Sequence, residues 1–208
     1  MSKAKVRLSA KEQELVVNAD WILTKNAIIQ KVYTFFGQIC ETYQAAVQSN
    51  LILANDPVFA IAPKISKGEQ YEGLPWVMLD YPRVFSIKDA FAIRTFFWWG
   101  NQMSITLQLQ GKYQHFYSNA IQQYFSLRAG NPHAQHPWYV CVNPEDPWQH
   151  HFREDNYLPA AQFPAAAFSQ LPFIKLAKKI PLDEWDDMEF FLQQTFKDIL
   201  FLLGNQTI

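Results

Sequence analysis

The sequence predicts an α+β protein, in which a mainly antiparallel twisted sheet of about five strands is packed by helices. The first observation is a hairpin pattern in residues 91–110, where β-branched and aromatic runs flank Gly100-Asn101. The second is helical spacing of apolar residues at the N terminus, in the middle and at the C terminus. The third is size and composition, because 208 residues with 49% hydrophobic content suit one domain over residues 1–208.

Two consecutive helices are expected at the N terminus. Ser9 and Glu12 have the spacing of a capping box, and helical periodicity continues to about residue 49. One unbroken helix of that length would measure about 60 Å at 1.5 Å per residue, too long for a compact domain of this size. A break with a new N-cap at Thr24 is therefore predicted. Residues 1–8 are predicted to form a flexible tail.

The strands are expected in the second and last thirds of the chain. Residues 74–81 (LPWVMLDY) are apolar on both faces, which indicates a central strand that ends at Pro82. Residues 138–142 form a short buried strand within a long ordered loop, residues 130–164, which holds half of the twelve prolines. Residues 173–180 carry alternating lysines, which suit a strand at a sheet edge.

Two further helices complete the predicted fold. Residues 112–127 have helical spacing, and a C-terminal helix is expected from Asp183 to about Leu203. The predicted buried stripe of the middle helix is Phe116, Ala120, Tyr124 and Leu127. The predicted stripe of the last helix is Trp185, Met188, Leu192, Thr195, Phe196, Ile199 and Leu203.

The hairpin predicts a register between its strands. With Gly100 and Asn101 as a two-residue loop, Trp98 faces Met103 and Arg94 faces Leu107. Arg94 is then the only charged residue on an apolar face. The other face combines aromatic and polar residues, as ligand pockets do. Its members are Ile93, Thr95, Phe97, Trp99, Gln102, Ser104, Thr106 and Gln108.

Three interpretations fit Arg94, since a buried guanidinium needs a partner. The first is a structural ion pair with Asp80 on the preceding strand, or an arginine whose charged end reaches water. The second is a binding site for an anionic ligand, because the planar fork suits carboxylate and phosphate. The third is a register that differs by one residue, which would move Arg94 to the mixed face.

Composition removes several classes of function. With 18 basic and 19 acidic residues the net charge is −1, so we expect no nucleic-acid partner. No apolar run is long enough for a membrane span or a signal peptide. Cys40 and Cys141 lack CxxC partners, which predicts reduced thiols and a cytoplasmic location. No P-loop, GxGxxG or GxSxG motif is present.

The long loop also carries four of the five histidines. His133, His136, His150 and Glu154 are candidate ligands for a divalent metal such as zinc, iron or manganese. If residues 149–155 form a helical turn, His150 and Glu154 share one face. The alternative is that these are solvated or hydrogen-bonded surface residues, with no cofactor bound.

The sequence therefore predicts a cytosolic protein without catalytic chemistry of its own, which binds a small ligand or a partner. The site is expected between the mixed hairpin face and the 130–164 loop, where an arginine orients an anionic small molecule. The candidate ligand-binding residues are Arg94, Arg83, Asp80, Phe97, Trp99 and Gln102. One alternative is a metal-dependent hydrolytic enzyme that uses the loop histidines. Another is an interaction protein that forms a homodimer.

Overall fold

The computed structural model describes residues 6–127 and 135–204, and its fold is α+β. One antiparallel sheet has the strand order β1-β2-β3-β4-β7-β5-β6. The strands are β1 (Lys64–Tyr71), β2 (Leu74–Phe85), β3 (Ala90–Trp98), β4 (Gln102–Gln110), β5 (Tyr139–Cys141), β6 (Tyr157–Pro159) and β7 (Phe173–Pro181). The helices are α1 (Ala10–Val16), α2 (Ala19–Gln48), α3 (Leu51–Ala54), α4 (Lys112–Leu127) and α5 (Met188–Gly204).

Helices α2, α4 and α5 pack on one face of the sheet and form the main core with it. Tyr43 of α2 stacks on Phe196 of α5, with ring centroids 3.8 Å apart. The Tyr43 hydroxyl lies 3.2 Å from the hydroxyl of Thr95 on β3, so this buried polar atom has a partner. The helical face of the sheet is therefore closed to solvent.

The two predicted N-terminal helices are present, but the break lies elsewhere. The capping box of Ser9 and Glu12 is confirmed. The second helix begins at Asn18 rather than Thr24, because the Asn18 side chain accepts a hydrogen bond from Trp21 N at 3.2 Å. Thr24 lies inside the 30 residues of α2.

The N-terminal part of this helical pair is exposed. Helix α1 has no buried residue. Four apolar side chains here are more than half exposed: Val16, Val17, Trp21 and Leu23. The homodimer expected from exposed aromatic residues stays a prediction.

The sheet has seven strands instead of the predicted five, and the two additional strands are β1 and β6. Strand β1 (KISKGEQY) is polar and contains a glycine, so its sequence lacks a strand pattern. Strand β2 does not end at Pro82 but continues to Phe85, with a register shift between Asp80 and Arg83. The prediction that residues 173–180 form an edge was wrong, since β7 lies between β4 and β5.

Helix α4 has the predicted bounds but a different buried stripe. Tyr117, Ile121 and Phe125 point into the core, whereas Phe116 is 61% and Leu127 is 86% exposed. The stripe is rotated by one residue because β4 and the 3₁₀ segment before β7 set the contact side of this helix. Helix α5 buries all of its predicted stripe except Trp185, which is 41% exposed.

The predicted hairpin register was wrong by one residue. Residues 99–101 form a three-residue loop, in which Gly100 adopts a left-handed φ of +71°. Trp98 therefore faces Gln102, and Arg94 faces Thr106 rather than Leu107. Because side chains alternate along a strand, a one-residue slip exchanges the two faces of β4.

The true register separates apolar from polar residues of β4. Its apolar side chains join the core under the helices: Met103, Ile105, Leu107 and Leu109. Its polar side chains share the other face with Arg94: Gln102, Ser104, Thr106 and Gln108. We call this second surface of the sheet the polar face.

Candidate functional site

The segment between β5 and β6, residues 142–156, runs back across the polar face, and we call it the clasp. Its central anchor is Lys175 of β7, which is fully buried. The Lys175 Nζ donates hydrogen bonds to the carbonyl oxygens of Pro147, at 2.8 Å, and Gln149. A lysine that was expected to face solvent at a sheet edge thus fixes the loop that covers the sheet.

The end of the clasp is held at the other side of the sheet by β1. The Tyr71 hydroxyl accepts hydrogen bonds from His150 N at 2.6 Å and His151 N at 3.2 Å. Arg153 forms a two-pronged ion pair with Glu72, just after β1. The clasp therefore connects the two edges of the sheet.

Side chains within the clasp fix its own backbone. Asn156 is fully buried, and its Nδ2 donates to His151 O at 2.6 Å. The Asp146 carboxylate accepts a hydrogen bond from Trp148 N at 2.8 Å. These local bonds satisfy backbone groups that no strand partner reaches, so the clasp has a defined conformation.

Arg94 and Asp80 form an ion pair on the polar face, with Arg94 Nε 2.7 Å from Asp80 Oδ1. Both side chains are largely buried, at 11% and 8% exposure. The guanidinium also lies 5.4 Å from the ring centroid of Phe85 and 5.3 Å from that of Trp148. The predicted pairing with Asp80 and the alternative register are both observed.

A cleft of about 490 Å³ opens between the clasp, β1 and the face of β2 and β3. It is mostly apolar, with Arg94 in its wall and polar groups of β1 at its rim. The aromatic and imidazole rings that line it are Tyr71, Trp76, Phe96, Trp148 and His150. The rim side chains are Ser66, Glu69 and Gln70.

The aromatic rings of the cleft pack against one another. Phe96 and His150 have ring centroids 4.7 Å apart at an interplanar angle of 32°, and Trp76 lies 6.1 Å from Phe96. Trp76 also lies against Gly68 of β1, where a Cβ atom would come within 2.7 Å of the indole. The glycine therefore permits the indole to lie across the edge strand.

Two cations, Lys175 and Arg94, lie near His150 in the wall of the cleft. Burial lowers the pKa of His150 well below its usual range, and the charges of Lys175 and Arg94 lower it further. Burial also lowers the pKa of Lys175 to about 8, so this amine is mostly charged at neutral pH. His150 is therefore neutral, between two cations.

The remaining predicted ligand-binding residues do not meet in this cleft. Arg83 Nε donates to Ala62 O at 2.9 Å, away from the cleft lining. Phe97 is in the core under the helices, and Trp99 packs against that core. Gln102 is on the polar face at the start of β4, but outside the cleft lining. Because the observed hairpin register differs from the predicted one by one residue, Phe97 and Trp99 lie on the helical side of the sheet and Gln102 lies on the polar face.

The predicted metal ligands are not brought together. His136 packs on Phe191 of α5, on the helical side of the sheet, whereas His150 lies on the polar face. Residues 149–155 do not form a helix, and Glu154 is exposed in a turn. His133 lies outside the described residues. In residues 6–127 and 135–204 no three His, Cys, Asp or Glu side chains are grouped to hold a metal ion.

Sequence reasoning missed most of the cleft wall and its anchor. Tyr71 lies in the polar strand β1, Trp148 lies in the predicted 130–164 loop, and Lys175 is predicted to lie on an edge strand. The regular polar alternation of β4 was the available signal, since it predicts a second face that needs its own cover.

Comparison of the chain with protein-family models, curated proteins and solved structures gives no match. Among the residues that the structure describes, no helix combines the length and apolar character that crossing a membrane requires. The candidate site is therefore interpreted from its own geometry.

The buried imidazole of His150 predicts a loss of stability in acid. The unfolded chain takes up a proton near pH 6.5 that folded His150 does not bind, so the free energy of unfolding falls as pH drops below about 6.5. The expected slope from this residue is up to about 1.4 kcal/mol per pH unit. Burial lowers the pKa of His151 as well, which adds a change of the same sign.

Urea unfolding at pH 7, 6 and 5 measures this slope. We expect the slope for His150→Phe to be smaller than the wild-type slope by the equivalent of about one proton. An unchanged slope in His150→Phe would show that other groups cause the acid sensitivity.

Proposed function

We propose that this protein binds a small anionic ligand in the cleft, with Arg94 as the group that receives the negative charge. The observation that carries the proposal is the hydrogen bonding of the guanidinium, which lines the cleft. Asp80 occupies Nε, whereas Nη1 and Nη2 have no hydrogen-bond partner among the described residues. A cation that is fixed by one carboxylate and has two unused donors is pre-organised to bind another acceptor.

The surrounding charges support an anion. Asp80 offsets the charge of Arg94, whereas Lys175 lies beneath the clasp without a carboxylate within ion-pair distance among the described residues, so one positive charge near the cleft is uncompensated. Glu69 at the rim is already paired with Lys25 at 2.6 Å. An anion placed near Arg94 therefore meets a positive potential in a partly desolvated site.

The shape of the cleft supports a small ligand. Its volume of about 490 Å³ falls within the range of roughly 300–1,000 Å³ that is usual for small-molecule sites. Aromatic walls with few polar groups are typical of such sites. A cytosolic location is part of the proposal, and the free, buried thiols of Cys40 and Cys141 support it.

A thermal-shift screen of small carboxylic acids, each paired with its neutral amide, tests the proposal. An acid present at about 100 times its Kd should stabilise the protein by about 2.7 kcal/mol. For a domain of this size that corresponds to a rise in Tm of roughly 5–10 °C. The amide should give a much smaller shift, since it lacks the charge.

The double variant Asp80→Asn/Arg94→Gln removes the charges and keeps similar side-chain sizes, so it should lose the acid-dependent shift. Arg83→Gln, an arginine of β2 outside the cleft lining, is the matched control and should retain it. Equal shifts with acids and amides, or an undiminished shift in the double variant, would refute the assignment of Arg94.

A further inference from the structure

We propose that the ligand of this cleft is a flat aromatic carboxylate, rather than an aliphatic acid or a phosphate. This inference rests on the proposed function and specifies its ligand class. Two independent properties of the cleft lead to it, the arrangement of its rings and its supply of hydrogen-bond donors.

The ring arrangement favours an aromatic body. Trp76 of β2, Trp148 of the clasp and Phe96 of β3 line the cleft from three different elements. Trp76 and Phe96 are inclined by 39°, so their faces are not stacked on each other. A ligand ring can take the offset or edge-to-face contacts that aromatic pairs prefer.

A neutral wall completes this environment. His150 is uncharged at neutral pH, and its ring is tilted by 32° against Phe96, with centroids 4.7 Å apart. It presents an aromatic surface without competing with Arg94 for the anion. A saturated ring of the same size would bury similar area but lose these ring contacts.

The donor supply favours two ligand oxygens. The end of the Arg94 guanidinium offers Nη1 and Nη2 side by side, which matches the two oxygens of a carboxylate. Other lining side chains can also donate, among them the indole N–H groups of Trp76 and Trp148 and the rim residues Ser66 and Gln70. Arg94 is the only cation among the described lining residues, and Glu69 stands at the rim, so a phosphate dianion would bring a second negative charge that the lining does not compensate.

Isothermal titration with four probes tests the ligand class: 2-naphthoate, decalin-2-carboxylate, 2-naphthamide and 2-naphthyl phosphate. We expect 2-naphthoate to bind at least about ten-fold more tightly than each of the others, a difference of about 1.4 kcal/mol. Trp76→Leu should weaken 2-naphthoate by about ten-fold, and Trp76→Phe should retain most of the affinity. The exposed Trp21→Leu on α2 is the control and should bind as the wild type does.

The outcomes separate this inference from the proposed function. If decalin-2-carboxylate or 2-naphthyl phosphate binds as tightly as 2-naphthoate, the aromatic carboxylate class is wrong while an anion site at Arg94 stands. The same holds if 2-naphthoate fails but another acid depends on Arg94. If 2-naphthamide binds equally well, or no acid binds, both the inference and the proposed function are overturned.

Discussion

Replacement of Arg94 by methionine is expected to lower the free energy of unfolding by about 3–5 kcal/mol. The Asp80 side chain is 8% exposed, and Arg94 is its ion-pair partner on the polar face. Without the guanidinium, the carboxylate remains buried and uncompensated. The variant also loses the contacts of the guanidinium with the rings of Phe85 and Trp148.

The double variant Asp80→Leu/Arg94→Met should recover most of that loss, because it removes both buried charges. Chemical denaturation of the two single variants and the double variant gives the coupling energy, which should exceed about 2 kcal/mol. Arg83→Met provides the control and should cost about 1 kcal/mol or less, the value of its single hydrogen bond. Additive losses in the cycle would mean that the pair is not coupled.

Replacement of Lys175 by methionine is expected to release the clasp while the sheet stays folded. The amine donates to two backbone carbonyls of the clasp, and hydrogen bonds from charged groups contribute about 1.5–3 kcal/mol each. Relief of the buried charge offsets part of the loss, so we expect the clasp to open about 30–100-fold more often. Global stability should change less.

Hydrogen exchange at the amides of His150 and His151 measures this opening, because both donate to the Tyr71 hydroxyl only while the clasp is closed. Lys178→Met is the control. Lys178 is on the same strand but on the helical face, where it pairs with Asp198 of α5 at 2.9 Å. Equal exchange in the two lysine variants would show that the charge of Lys175 does not hold the clasp.

The features that depend on local chemistry could be predicted from the sequence. The capping box at Ser9, the bounds of α4 and the buried stripe of α5 follow from spacing and caps alone. The hairpin location also follows from local residues, but its register does not. A two-residue and a three-residue loop around Gly100 differ by one position, and that position decides which side of β4 meets the helices.

The site could be predicted only in part, for a related reason. The pairing of Arg94 with Asp80 follows from the cost of burying a charge. The role of Lys175 depends on the clasp returning across the sheet, a contact between residues 26 and 28 positions apart. Tyr71 and its hydrogen-bond partner in the clasp, His150, are 79 positions apart in the sequence. Such contacts leave no periodic signal, so alternating lysines resembled an edge strand.

NMR detection of the arginine guanidinium nitrogens during a titration with 2-naphthoate tests most directly whether Arg94 binds the ligand. The proposal predicts that the Nη signals of Arg94 shift and saturate together with the amides of the cleft, while those of Arg83 stay constant. Saturating shifts confined to another surface, with the Arg94 signals unchanged, would contradict it.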